Sequence, residues 1–507
     1  MRLWQAGGRI LTDEIAVSTH PDAEDETSSS LALLTLILGA ILVARIVGLV
    51  FSATDLHYEE AQNWYWAQSQ DFTNFAQPPA LLWLIGLMTT ICGDGEICIR
   101  LPSPIIATLS AGLVYGLARH LYDARVAFWA AIVYATLPAV STFAMPAMPQ
   151  SILALFVTAA LLSLSIHFER PTLLSGAAVG MILGLGVVND TEIIYLPICS
   201  VFFIIMTPPL RRVLRASGTW VAVLTAPAIV LAGFLWSGRS EFADFSDVLP
   251  AGLAFTQINA DAILVFFGLQ FVLFGPILFF VLLRSVVARR TLTPRPTADR
   301  FLLFHSVPVF VALMVYAILF EAKAHWTFSA FPAAAIFVTA LLLRHEFRRL
   351  LFVSTGLHVA LLAGIIGFSV FADRFSNIPS FNRLVGWQDF AKNLAEAAAV
   401  SDLNTVVLRS GNQIAEANYY LRGQNIEILA FSPRGRRPDN DFEMLHSWAY
   451  GDPQPILLAT AGDPSAFGIP LGTADKIGEF QVQSYLSSMN IFSLYRVNPP
   501  SETQAPR

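Results

Sequence analysis

Two carboxylates, Asp55 and Glu59, stand four residues apart just after the first apolar run of this 507-residue chain. On a helix starting at Asp55 both would project from one face, with the adjacent Glu60 turned about 100° away. Trp64, Tyr65 and Trp66 follow, aromatics suited to the headgroup level of a bilayer. From Ser52 to Ile99 there are six acids and no Lys or Arg. Such a loop is poorly retained in the cytoplasm and holds its acids at the opposite membrane face. A carboxylate placed there serves as a general base, a metal ligand or both, acting on a substrate that arrives through lipid. The plainer alternative is an interfacial helix whose acids are simply solvated.

The second group of candidates is basic. Lys323, in EAKAHW, is the only lysine before residue 372 in a chain that otherwise uses arginine. A compact ammonium suits a phosphate as a point charge, and His325 and Trp326 beside it suit a lipid phosphate and a sugar ring. The alternative is a surface pair of Glu321 with Lys323. Arg45 lies inside the first apolar run, where a charge is costly and functional by default. It is read either as a lipid-phosphate ligand or as a packing contact to a buried acid or backbone carbonyls. Arg100 opens RLPSP and serves the same site or snorkels at the interface. Asn189 and Asp190 sit in a tight turn that these residue types favour.

The elements that must position these groups are membrane spans. Hydrophobic residues make up 55% of the chain and charged ones only 13%, against about 25% charged in soluble domains. The sequence therefore predicts a polytopic α-helical membrane protein. Eleven spans are expected, at 31–52, 100–119, 126–143, 150–167, 172–188, 191–207, 218–236, 262–284, 301–320, 327–343 and 350–371. Pro79–Ile91 falls short of the roughly 20 apolar residues that a crossing needs and reads as a re-entrant or interfacial helix in a large first outer loop. Alternate connectors carry 14 arginines and the others three basic residues, which puts the arginine-rich side and the N-terminus in the cytoplasm. The turns at Met145–Gln150, Asn189–Thr191 and Glu321–Trp326 and the loop Ser237–Asp261 then share the far side with the acidic loop.

Residues 1–30 form an acidic tail expected to be disordered, without the basic start and small-residue cleavage site of a signal peptide. Residues 31–371 form the membrane domain. Residues 372–507 form a small α/β soluble domain, with helices from Gly386 and through IAEANYYLRG among the strands NTVVLR, IEILAF, PILLAT, FQVQSY and FSLYRV. That domain has no glycine-rich phosphate loop or metal-ligand cluster, so acceptor recognition or capping of an outer cavity is expected of it. Cys92 and Cys98 read as two unpaired apolar fillers, with a small disulfide as the alternative. A net charge of −6 gives no sign of a nucleic-acid partner.

The frame YEEAQNWYWAQ…QPPALLW…CGDGEICIRLPS resembles the first-loop pattern of the protein O-mannosyltransferase and aminoarabinose transferase superfamily. These are multispan glycosyltransferases that take sugars from polyprenyl phosphates. Glu59-Glu60-Ala61, Pro78-Pro79 and Arg100-Leu101-Pro102 match its motifs in order, with weaker echoes in FFGLQFVLFGPILF, AKAHWTFSAFP and GWQDFAKNLAEA. The resemblance places Glu59 where the family has its catalytic aspartate, and Lys323 and His325 in its late basic cluster. Four positions depart from the pattern: Glu59 is an aspartate in the family, Gln150 replaces the acid of a Pro-Asp pair, Asp190 replaces a lysine, and Gln77 replaces the basic residue before Pro-Pro.

The resemblance implies an enzyme of the bacterial cytoplasmic membrane with its C-terminal domain in the periplasm. It would move a sugar from a polyprenyl-phosphate donor to an envelope lipid, glycan or protein. Glu59 would be the base, and Asp55 an alternative base or a group holding Glu59 or a cation. Lys323 and His325 would hold the donor phosphate, helped by Arg45 or Arg100, with Glu60, Gln150 and Asp190 as secondary candidates. The resemblance fixes no cofactor, and it leaves a divalent metal open. The rival readings are a silent homologue that binds lipid-linked sugar or serves as an assembly subunit, and a transporter, which an internal inverted repeat would mark.

Overall fold

A computed structural model describes residues 22–68, 79–237, 260–287, 296–320, 322–375, 384–432, 438, 440–450, 452–467, 469, 473–482 and 491–499. The chain is a multi-pass α-helical membrane protein with a small C-terminal α/β fold. Among the described residues, seven helices are long and apolar enough to cross a membrane. These are Ser29–Val50, Glu96–Leu121, Pro149–Glu169, Ser217–Trp236, Thr297–Ile318, Ala324–Arg344 and Arg348–Val370. Shorter apolar helices cover Pro79–Cys92, Ala124–Thr136, Leu173–Asn189 and Thr191–Met206.

The expected single span at 262–284 is instead two helices, Ile263–Leu273 and Pro276–Val287, bent by 114°. The cause is local. Gly275 takes a left-handed φ of 87°, and Pro276 has no N–H to continue the first helix. A Cβ at Gly275 would also collide with the His358 ring. Ala124–Thr136 breaks in the same way before Pro138, and Pro138–Phe143 continues as a separate short helix.

Contacts divide the chain into two compact units. The first comprises Met1–Val47, Phe72–Leu81 and Arg100–Ile366; the second comprises Gly48–Asp71, Leu82–Ile99 and Gly367–Arg507. Much of the first loop thus belongs with the C-terminal fold rather than with the bundle.

Within the membrane unit, Phe331–Arg344 is buried along nearly its whole length and is the axis of the core. The tightest helix pair is Leu173–Asn189 against Ser217–Ser237, joined along Gly176, Gly180 and Gly184. A Cβ at Gly180 would lie 2.7 Å from the Thr225 Cβ and 2.8 Å from the Ala222 carbonyl oxygen. Small residues at every fourth position let the two backbones touch.

The C-terminal fold is a six-stranded sheet of β1 (Thr405–Leu408), β2 (Glu427–Phe431), β3 (Ser447–Trp448), β4 (Ile456–Thr460), β5 (Ala474–Gln481) and β6 (Ile491–Val497). Its order is β3-β2-β1-β4-β6-β5. The first four strands run parallel, and β6 pairs antiparallel with both β4 and β5. Every residue of β1 and β4 is buried, as expected for strands in the middle of a sheet covered on both faces. Strand β5 lies earlier than FQVQSY suggested. The two-residue β3 is too short to carry a readable pattern.

Candidate active site

In the unit that holds the first loop, the three candidate acids have different surroundings. The loop helix begins at Tyr58, not Asp55, and runs to Gln68. Asp55 therefore precedes it in extended chain, and the expected shared face with Glu59 does not form. Asp55 is buried, and its Oδ2 accepts the Trp387 N–H at 2.7 Å, at the start of the helix Trp387–Ser401. Its role here is to satisfy an open helix N-terminus. Glu60 is also buried, and its Oε2 accepts the His57 N–H at 2.9 Å, closing the start of its own helix. Glu59 is half-buried, and its Oε1 accepts the Tyr58 hydroxyl at 3.0 Å. It is the acid of the three whose carboxylate is not committed to a backbone N–H among the described residues.

Burial pushes the Asp55 carboxyl up to about 6, with the Trp387 N–H pulling it back and the Glu96 carboxylate adding to the rise. The folded protein therefore holds this proton more tightly than the unfolded chain, whose value is near 3.8. Stability is full below the unfolded value and falls as pH rises from about 4 to about 6, by roughly 3 kcal/mol. Unfolding of the full chain followed at Trp387 should show that slope. Asp55→Asn should flatten it, and an unchanged slope in that variant would assign the effect elsewhere.

Cys92 and Cys98 form a disulfide, so the expectation of two unpaired fillers was wrong. Spacing alone left the pairing open, and it is the tight turn at Gly93, with φ 85°, that brings the two sulfurs together. The bond closes a short loop around Asp94 and Glu96. Asp94 Oδ1 accepts the Trp64 indole N–H at 2.9 Å.

In the membrane unit, Thr191–Ile194, Ala324–Ala330 and the helix Pro149–Glu169 pack against one another. Lys323 precedes the Ala324–Ala330 turn and is exposed. His325 meets the Phe143 ring edge-on at 5.9 Å. Gln270 anchors this turn from within the membrane: its Nε2 donates to the Ala324 carbonyl at 3.1 Å and its Oε1 accepts from the Thr327 hydroxyl at 2.6 Å. In the sequence, the signal for Gln270 is a lone amide within the apolar run FFGLQFVLF. Glu321 lies outside the described residues, as do Gln77 and Pro78.

Tyr195 donates to the Ser329 carbonyl at 2.8 Å, tying the end of Thr191–Ile194 to Ala324–Ala330. Asp190 accepts the Glu192 N–H at 2.9 Å, and burial pushes its carboxyl up. Asn189 caps a neighbouring helix, since its Oδ1 accepts the Ala80 N–H at 2.8 Å at the start of Pro79–Cys92. The Gln150 Oε1 is buried with no hydrogen-bond partner among the described residues. It offers a neutral acceptor where the pattern has an acid. No group of three or more His, Cys, Asp or Glu able to hold a metal occurs among the described residues.

The two arginines are enclosed. Arg45 is fully buried and its Nη2 donates to the Ala135 carbonyl at 2.6 Å, at the broken end of Ala124–Thr136. Its Nη2 meets a carbonyl freed by the break before Pro138, which is the packing alternative, while its Nε and Nη1 are buried without a hydrogen-bond partner among the described residues. Arg100 is buried at the junction of Glu96–Arg100 with Pro102–Leu121, not snorkelling at an exposed rim.

Comparison with known proteins agrees with this architecture. Residues 76–236 match the model of the dolichyl-phosphate-mannose-protein mannosyltransferase family. A lipid A galacturonosyltransferase of Rhizobium johnstonii is 25% identical over 476 residues, covering 92% of this chain and 98% of that protein. A lipopolysaccharide core galacturonosyltransferase of the same organism is 27% identical over 218 residues, 42% of this chain and 43% of that one. Crystal structures of ArnT from Cupriavidus metallidurans share the fold at 15% identity. The apo form has a TM-score of 0.66, covering 93% of this chain and all of that one. The form bound to undecaprenyl phosphate has a TM-score of 0.65 and covers 94% and 99%. With the first-loop motif, the full-length relative and the fold in agreement, the chain is a polyprenyl-phosphate-sugar-dependent membrane glycosyltransferase, similar to the protein O-mannosyltransferase and aminoarabinose transferase superfamily.

Proposed function

We propose that the protein transfers a uronic acid, of the galacturonic type, from a polyprenyl phosphate to a hydroxyl of lipid A or the lipopolysaccharide core. The transfer takes place at the periplasmic face of the bacterial inner membrane, with the N-terminus in the cytoplasm and the C-terminal fold in the periplasm. Glu59 takes the proton from the acceptor hydroxyl, and the freed oxygen attacks the anomeric carbon. The bond from that carbon to the phosphate oxygen breaks, and polyprenyl phosphate leaves with the electron pair. Lys323 and His325 stabilise the phosphate as its charge grows, the part of the reaction where preorganised charge counts most. An apolar cavity of about 230 Å³ beside the bent helix pair, walled by Phe266, Phe267, Phe279, Phe310 and Met314, has the chemistry to take part of a prenyl chain.

The observation that carries the reading is the state of Glu59. Of the three first-loop acids it is the one that the motif resemblance aligns with the family's base, and its carboxylate is the one not used by a backbone N–H among the described residues. The lipid A and core acceptors are supported by the two relatives named above, the first of which matches over almost its whole length. The test is transfer by the purified protein in nanodiscs, offered labelled polyprenyl-phosphate sugars together with lipid A or core acceptor. Label should pass from the uronic acid donor to lipid A. Transfer to protein alone would overturn the acceptor assignment, and donor binding without transfer to anything would favour a silent homologue.

A further inference from the structure

The helix Gly411–Tyr420 of the C-terminal fold packs along the loop helix Tyr58–Gln68. It ends on two adjacent tyrosines, and both hydroxyls reach back to the first loop. The Tyr420 hydroxyl donates to Glu96 Oε1 at 2.8 Å and accepts the Leu56 N–H at 2.9 Å. The Tyr419 hydroxyl donates to the Asp94 carbonyl at 2.9 Å, and its ring meets Trp64 edge-on at 5.0 Å. Trp64 in turn donates to the Asp94 side chain. Further along the loop helix, the Tyr65 hydroxyl pairs with His446 Nε2 at 2.9 Å.

The consequence is geometric. Leu56 precedes the loop helix, while Asp94 and Glu96 lie in the disulfide-closed loop further on. One Tyr-Tyr pair therefore holds the loop on both flanks of the helix. A phenol does this where a phenylalanine would not, because it donates to a carboxylate and accepts from an N–H at once. Glu59 lies three residues beyond Leu56, so a turn of the helix about its axis would carry the Glu59 carboxylate with it. Misplacing a reacting group by about 1 Å costs on the order of 10²-fold in rate.

We infer that Tyr419 and Tyr420 form a clasp through which the C-terminal fold positions the loop helix and hence the Glu59 carboxylate. This rests on the reading of Glu59 as the base. Tyr420 is then a positioning residue, and the C-terminal fold is part of the catalytic apparatus rather than only a cover or an acceptor platform.

The test uses the full chain in nanodiscs, with sugar transfer and hydrogen exchange read together. Tyr420→Phe should lower kcat by roughly tenfold or more, with the donor KM changed by less than about twofold, and should speed exchange across residues 55–68. Glu96→Ala should do the same. Glu96→Gln, which keeps an acceptor for the Tyr420 hydroxyl, should restore both readouts and shows that the effect does not come from misfolding. Wild-type exchange at 55–68 in Tyr420→Phe, or equal damage from Glu96→Gln and Glu96→Ala, would overturn the clasp. Failure of the base reading looks different: Glu59→Gln would retain transfer. If the clasp is right, Glu59→Gln leaves exchange at 55–68 as in the wild type.

Discussion

Glu59→Gln should lower sugar transfer by about 10²–10⁴-fold, the range contributed by a positioned general base, with donor binding and membrane insertion retained. The amide keeps the size of the side chain and its ability to accept the Tyr58 hydroxyl, so the change removes basicity and little else. The neighbouring acids provide the contrast. Asp55→Asn disturbs the start of Trp387–Ser401 and should act first on stability and its pH dependence. Glu60→Gln disturbs a contact to the His57 N–H within the helix start and should cost turnover only as far as it loosens that turn. The measurement is transfer from a labelled polyprenyl-phosphate sugar, with each variant normalised to its folded, inserted fraction. Equal transfer by wild type and Glu59→Gln would remove Glu59 from the chemistry. A deeper loss in Asp55→Asn than in Glu59→Gln, at equal folded fraction, would transfer the base role to Asp55.

The residues that the sequence misplaced are those whose partners lie far along the chain. Asp55 looked like the first residue of a helix because four-residue spacing to Glu59 is a helix signal. Its actual partner, Trp387, is 332 residues away, and no local pattern reveals that. Arg45 is similar: an arginine in an apolar run signals an expensive burial, but the sequence does not say whether a phosphate or the Ala135 carbonyl answers it. Other features were readable. Arginine asymmetry put the connectors holding Asp190 and Lys323 on one side, and the helical turns Thr191–Ile194 and Ala324–Ala330 beside those residues do pack against each other. The α/β order of the C-terminal fold followed from short apolar runs separated by amphipathic segments. Two local signals were present and passed over. Gly275-Pro276 pairs a residue free to take positive φ with one that cannot continue a helix, and it bends the segment by 114°. Gly176, Gly180 and Gly184 repeat every four residues, the mark of a helix face that meets another backbone.

The other large effect is expected at the opposite kind of site, where charge serves the fold. Arg344 counts in the sequence as one of the arginines that orient the membrane domain. In the structure it ends the buried axial helix Phe331–Arg344 and forms a two-pronged pair with Asp299, with Nη1 and Nη2 at 2.7 and 2.9 Å from its two oxygens. Asp299 is buried, and its Oδ1 also accepts the Tyr122 hydroxyl at 2.7 Å. Arg344→Ala would leave a buried carboxylate with a single phenol and the water that reaches past the exposed Arg344 position, and should cost about 3 kcal/mol, the lower end for a broken buried pair. Arg344→Lys should fall between, because an ammonium cannot reproduce the planar fork. Tyr122→Phe should cost only about 1–3 kcal/mol, since Arg344 still satisfies the acid. The decisive variant is Arg344→Ala with Asp299→Asn. With the stranded charge gone, a substantial part of the loss should return, which a simple sum of the two single changes does not allow. Thermal unfolding in detergent measures all four. A loss under about 0.5 kcal/mol for Arg344→Ala, the range of an ordinary surface change, would show that the pair does not hold the bundle together. Because neither residue is assigned to the chemistry, transfer per folded molecule should stay at the wild-type level in Tyr122→Phe, which separates loss of fold from loss of catalysis.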